Sequence, residues 1–263
     1  MLKKYLKLYV EFIKQNLKVM FEYKNDFVIG VFSTLLTQYC GIFFVWVLFA
    51  NVTQIKGWSF YEVAFVYGLL TLAKSIDMLF FYNLLGLGWD YIREGRFDII
   101  MIRPISPLFQ IISSKIHQEG FGLLIIGLVV VSKSISMLHL HFSTLNYMLM
   151  SLFVICGGLI LSAINLITAT SAFWTVNSSV VVESIASLQE FALYPIMIYP
   201  KIIGYILTWV IPYAFASFYP ATFFLHKGFS EYALLSPIIA ALLWFIALKV
   251  WNFGLSHYSS TGS

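Results

Sequence analysis

Three sets of residues in this 263-residue chain carry reactive or charged groups in a suggestive arrangement. Lys74 and Asp77 stand three apart inside the apolar run 63–85, a spacing that puts both on one helical face, where they can pair, with Thr71 and Asn83 near the same side. A charge at mid-bilayer costs about 2.5 to 3.5 kcal/mol on insertion scales. Such a pair either lines a polar path or a subunit interface, or is a structural ion pair that sets the rotation of its helix. Glu183, Ser187 and Glu190 share one face of a later helix, with no basic residue close in sequence. A carboxylate at Glu190 favours a cationic amphiphile if it faces a cavity, and is structural if it is protonated or hydrogen-bonded against another helix.

The third set lies in the segment 86–118, the one sizeable polar stretch after the first two dozen residues. It holds Tyr91, Arg93, Glu94, Arg96, Phe97, Asp98, Arg103 and Pro104, with charges of both signs in its first half and punctuation at Gly95 and Pro104. A short helix laced with arginine and aspartate suits a protein partner of complementary charge better than it suits lipid, whereas a plain solvated connector would use its arginines only to mark the cytoplasmic side. Catalytic motifs are absent from the sequence: there is no G-x-x-x-x-G-K-[ST], H-E-x-x-H, Cys-x-x-Cys or G-x-S-x-G. His139 and His141 alternate without a third ligand nearby and read as surface residues, so no metal site is expected.

Composition dictates what must position these groups. The chain is 60% hydrophobic, 18% aromatic and only 11% charged, with mean hydropathy +0.86, whereas globular proteins carry roughly 25% charge. That excludes a soluble protein and a disordered one. Two Cys, 7 Pro and 16 Gly exclude a disulfide scaffold and a collagen-like chain, and Cys40 and Cys156 lie in apolar runs as small hydrophobes.

A bilayer core of about 30 Å needs about 20 apolar residues in helix. Apolar runs at 27–50, 63–85, a third starting at 108 or 121 and reaching 131, and 147–172 predict four spans; a fifth begins near Val180 and a last covers about 232–250. The opening residues 1–26 predict an interfacial amphipathic helix, because Tyr5, Leu6, Tyr9, Phe12, Ile13, Leu17 and Met20 recur at spacings of three and four opposite lysines. With the N-terminus inside, eleven Lys and Arg fall on the cytoplasmic side and three, Lys56, Lys133 and Lys227, outside, with Lys74 and Lys201 at membrane depth. Prolines at 195, 200, 212 and 220 break the backbone around 201–225. That stretch is read as re-entrant, which leaves six spans and both termini cytoplasmic; a kinked full crossing would make seven.

These features together resemble the membrane subunits of type 2 ABC exporters, in particular the bacterial branch of drug and viologen exporters. The resemblance rests on the amphipathic N-terminal helix, on the segment REGRFDIIMIRPISP, which matches a G-x-hydrophobic-D-x-x-hydrophobic-x-R-P pattern at Gly95, Phe97, Asp98, Arg103 and Pro104, on six spans, and on IPYAFASFYPA with Pro212 and Pro220 before the last span. It implies an all-α membrane protein, a single permease domain over 1–263 in the bacterial cytoplasmic membrane. It implies a coupling helix in 86–118 gripped by a separate ATPase, with two ATPase subunits per complex binding ATP and Mg, and a second copy of the permease or a related permease. No cofactor is held by the chain itself, and no nucleic acid is a partner. The 174–183 loop departs from the pattern, having Glu183 but no basic residue for a second ATPase contact.

The expectation is therefore a non-enzymatic permease that moves a hydrophobic or amphiphilic small molecule, powered by a partner. The alternatives are an ion-coupled secondary transporter using Lys74, Asp77 and Glu190, and a membrane scaffold without a transport path.

Overall fold

The computed structural model describes residues 2–175 and 178–259, all of its regular elements being helical. Two helices open the chain: α1 (Leu2–Glu22) and α2 (Lys24–Phe49) meet at Tyr23, where the backbone leaves helical geometry. A loop over 50–59 leads to α3 (Phe60–Phe80), whose start is fixed by a capping box: the Ser59 N–H donates to Glu62 Oε2 at 2.8 Å. A 3-10 segment (Tyr82–Leu87) and a π turn (Gly88–Ile92) carry the chain into α4 (Arg96–Met101), with Gly95 in the left-handed region at φ 69°. After α5 (Pro107–Ser113) come α6 (Glu119–Met137), α7 (Thr144–Thr170) and the short α8 (Ala172–Thr175).

Five helical stretches among the described residues are long and apolar enough to cross a membrane: Lys24–Phe49, Phe60–Phe80, Glu119–Met137, Thr144–Thr175 and Ser230–Ser256. The fifth span expected near Val180 is not among them. It is split into α9 (Ser179–Ser187), a 3-10 segment (Leu188–Leu193) and a short turn (Ile196–Ile198), because Pro195 and Pro200 cannot donate the backbone hydrogen bonds that a continuous helix needs. The interruptions continue through α10 (Lys201–Tyr205), a π turn (Ile206–Val210), a 3-10 turn (Tyr213–Ala216) and α11 (Phe218–Phe224), in which Pro220 sits in the first turn, where a missing N–H is tolerated. Pro212 stands at the start of the 3-10 turn. The chain closes with α12 (Ser236–Ser256).

Helix α3 is the hub, packed against α6 on one side and α7 on the other. Close approach is set by small residues: a Cβ on Gly158 of α7 would lie 2.7 Å from Ile76 Cβ, and one on Gly157 would lie 2.9 Å from the Ala216 carbonyl oxygen. One apolar core joins α3 and α7 to the broken segment through Phe65, Phe153, Phe215 and Phe218; a second, smaller one lies under α4.

The bundle has two distinct ends. At one, Tyr5 of α1 meets Phe109 of α5 edge-on at 4.9 Å, and Tyr258 beyond α12 donates to Asp98 Oδ1 at 2.9 Å, so α1 and the segment after α12 meet 86–118. At the other, the loop 50–59 receives the broken segment twice: Lys56 Nζ donates to the Met197 and Ile198 carbonyls at 3.1 and 3.2 Å, and Lys227 Nζ donates to the Gly57 carbonyl at 2.7 Å.

Candidate functional site

At the end where α1 and the segment after α12 meet 86–118, Phe97 fixes the polar segment. It is fully buried and edge-on to Phe173 at 5.3 Å, Trp251 at 6.3 Å and Tyr258 at 4.8 Å, which ties α4 to the ends of α7 and α12. Asp98, its neighbour, accepts a hydrogen bond from the Tyr258 hydroxyl; burial, and then this carboxylate, push that phenol up to about 12. Tyr91 is half-buried and its hydroxyl pairs with Ser114 Oγ at 3.0 Å, burial raising its pKa.

The other charged members of the set, Arg93, Glu94, Arg96 and Arg103, face outward. Arg93, Arg96, Arg103 and Pro104 are exposed, Arg96 pairs with Glu94 at 2.7 Å, and Arg103 reaches Gln110 only loosely at 3.5 Å. Between them stands a feature that sequence reasoning passed over: Ile99, Met101 and Ile102 are 54%, 43% and 82% exposed. The IIMI run beside Arg96 and Arg103 was its signal, since the four apolar residues of one short helix cannot all face one core. Ile99 and Ile102 are thus exposed apolar side chains on a segment that also exposes Arg96 and Arg103.

A cavity of about 340 Å³ opens beside this surface, lined by Tyr82, Trp89, Asp90, Arg96, Lys115 and His117 among others. His117 lies against the Tyr82 ring at 4.0 Å and contacts Asn83 Oδ1 at 3.3 Å. Burial, and then the Lys115 charge, lower its pKa to about 4, so it is neutral at physiological pH.

At membrane depth the structure pairs the charges differently from their spacing. Lys74 does not bind Asp77; its ammonium meets Glu190 Oε1 at 2.6 Å, across 116 positions of sequence. Asp77 Oδ2 instead accepts from Asn165 Nδ2 at 2.8 Å, while Oδ1 is buried without a hydrogen-bond partner among the described residues. Lysine's long stem explains the first exchange: it carries the charge away from its own helix to the 3-10 segment that α3 packs against. Thr71 bonds back to the Tyr67 carbonyl of its own helix at 2.8 Å, and Asn83 turns away to the Lys115 carbonyl at 2.6 Å. Glu190 is thus already neutralised, and its side chain is 63% exposed against 17% for Lys74. No group of three or more His, Cys, Asp or Glu able to hold a metal occurs among the described residues.

Five helical stretches long and apolar enough to cross a membrane, with Lys74 of α3 paired to Glu190 of the neighbouring 3-10 segment, give the build of a polytopic helical membrane protein. The profile of the ABC-2 family transporter proteins matches residues 35–262, and the chain belongs to that family. It is accordingly a membrane component of ABC transport, of permease type. No curated protein and no solved structure matches the chain.

Proposed function

We propose that this chain is the permease subunit of an ATP-driven exporter of a hydrophobic or amphiphilic small molecule, and that the surface around α4 is where its ATPase engages. The observation that carries this reading is the exposure of Ile99 and Ile102 between Arg93, Arg96 and Arg103, on a short helix anchored from behind by Phe97. A helix fixed in the membrane domain and presented at its surface transmits a push; a mobile loop does not. Tyr91, Glu94, Asp98 and Pro104 complete the segment, Pro104 as the rigid connection to α5. Charge reversal by Arg96→Glu, measured in the reconstituted permease–ATPase complex, is expected to lower transport-linked ATP hydrolysis about tenfold or more, since like charges juxtaposed across an interface cost several kcal/mol, with membrane insertion intact. Unchanged coupling would remove this segment from the mechanism.

The same reading takes six crossings, with α9 and the 3-10 segment after it forming an interrupted fifth and 201–225 returning to the face it left. Its support is that residues flanking that stretch on both sides bond to the loop 50–59, Met197 and Ile198 through Lys56 and Lys227 through the Gly57 carbonyl. It places both termini, and the basic α1, in the cytoplasm of a bacterium. Cysteines introduced at Thr53 and Ser230 are expected to react with an impermeant reagent from outside, and one at Ser260, which lies outside the described residues, is expected to stay unlabelled in sealed cells. Labelling at Ser260 would make 201–225 a full crossing. Two ATPase subunits, which supply the ATP and Mg sites, and a second permease complete the proposed assembly. Asp77 with Asn165, and Lys74 with Glu190, join helices within the permease as structural pairs bordering its path.

A further inference from the structure

At the end of the bundle opposite 86–118 lies a cavity of about 420 Å³, within the size range of small-molecule sites. Its walls are apolar and mostly aromatic: Ile196, Met197, Tyr199, Phe218, Tyr219 and Phe229. The back wall is rigid, because Phe218 is fully buried against Trp58, with ring centroids 5.7 Å apart, and Tyr219 is stacked on Tyr232 at 5.2 Å. Among the described residues, the charged ones lining it are Lys56 and Lys201, and no carboxylate does. The Lys56 ammonium is held at the rim by the Met197 and Ile198 carbonyls. Lys201 is exposed and has no hydrogen bond or ion pair among the described residues. Two nearby acids are engaged elsewhere, Glu62 with Lys227 at 3.0 Å and Glu190 with Lys74, and Glu231, two residues beyond Phe229, is exposed and does not line the cavity. Two residues of the lining, Lys56 at φ 48° and Phe229 at φ 72°, are in the left-handed region without being glycine, Lys56 because it sits with Gly57 in the tight turn closed by the Ile55–Trp58 bridge.

We propose that this cavity binds an anionic amphiphile, its hydrocarbon tail against Met197, Tyr199 and Tyr219 and its phosphate or carboxylate head between the Lys56 and Lys201 ammonium groups. A cationic amphiphile is repelled by both lysines, an inorganic anion leaves the apolar walls uncovered, and a sugar leaves most of its hydroxyls unpaired there. This deepens the substrate class of the exporter proposed above. It rests on that reading for the ligand's being cargo, and not for its binding.

The test uses the full chain alone in phosphatidylcholine nanodiscs, titrated calorimetrically with decyl phosphate, decyltrimethylammonium and inorganic phosphate. Saturable binding of decyl phosphate only is expected. Lys201→Gln should weaken it at least about tenfold through loss of one charge-assisted contact, Lys201→Arg should preserve it, and Met197→Trp, which fills the cavity from a half-exposed position, should abolish it. Equal binding of decyltrimethylammonium, no binding of decyl phosphate, or wild-type affinity in both Lys201→Gln and Met197→Trp would overturn the site. Repeating the titration with phosphatidylglycerol in the disc separates the two sources of such a ligand: competition identifies a membrane lipid as occupant, and its absence a soluble amphiphile, and either upholds the class. Because no ATPase is present, failure here leaves the exporter reading untouched, and failure of that reading leaves the binding result standing.

Discussion

Phe97→Ala is expected to destabilise the protein by about 3 to 5 kcal/mol, the range for removing a buried phenylalanine. The figure applies because this ring packs at a polar end of the bundle and not against lipid. Its loss opens a void between Phe173, Trp251 and Tyr258, and also releases the edge-on aromatic contacts, each worth about 0.5 to 1.5 kcal/mol beyond area. Thermal unfolding in detergent should show a melting temperature well below wild type, with Phe97→Leu in between. Coupled ATP hydrolysis should fall further than the stability change explains, since α4 would no longer be held against α7 and α12. A melting curve identical to wild type for Phe97→Ala would mean that α4 is anchored by something other than this ring.

A second large effect is expected where α3 and α7 touch. Gly158→Val places its Cβ 2.7 Å from Ile76 Cβ and Cγ2, and 3.1 Å from the Ala73 carbonyl oxygen, which is backbone and cannot turn aside. The helices must separate. Overpacking of this kind costs about 1 to 3 kcal/mol, and here it also pulls Asn165 from Asp77, leaving a buried carboxyl without its hydrogen bond. Gly228→Ala, whose added Cβ meets nothing within 4 Å, is the matched control. Folded yield and melting temperature should drop for the first variant and hold for the second; equal behaviour would mean that the α3–α7 contact is looser than its geometry.

Much of this architecture follows from local rules, and those parts were readable. Runs of apolar residues long enough to span, the three-and-four spacing of Tyr5, Tyr9 and Phe12, and the Gly95 to Pro104 punctuation are all properties of neighbours in sequence, and they correspond to α1, α2, α3, α4 and α7 to within about five residues, while α6 and α12 each end six residues further on than the apolar runs. What escaped depends on distance in space. Spacing paired Lys74 with Asp77, because periodicity sees only residues one turn apart; the partner at Glu190 is brought there by packing of the broken segment on α3. Hydropathy gave a fifth continuous span near Val180, since LQEFAL is no less apolar in a 3-10 segment than in an α-helix. The apolar patch at Ile99 and Ile102 was hidden by the same averaging, in which an exposed isoleucine counts as a buried one. Likewise nothing in the spacing of Lys56 and Lys201 foretold that they would share a cavity.

The account depends most on the claim that this chain works with a separate ATPase held at the α4 surface. Affinity purification of the full chain from its native membrane in a mild detergent, followed by quantitative mass spectrometry, tests it directly. The account predicts an ATPase carrying a G-x-x-x-x-G-K-[ST] motif at one copy per permease, lost from the Arg96→Glu preparation while the permease itself is recovered in full. Recovery of the permease without any such ATPase under those conditions would contradict it.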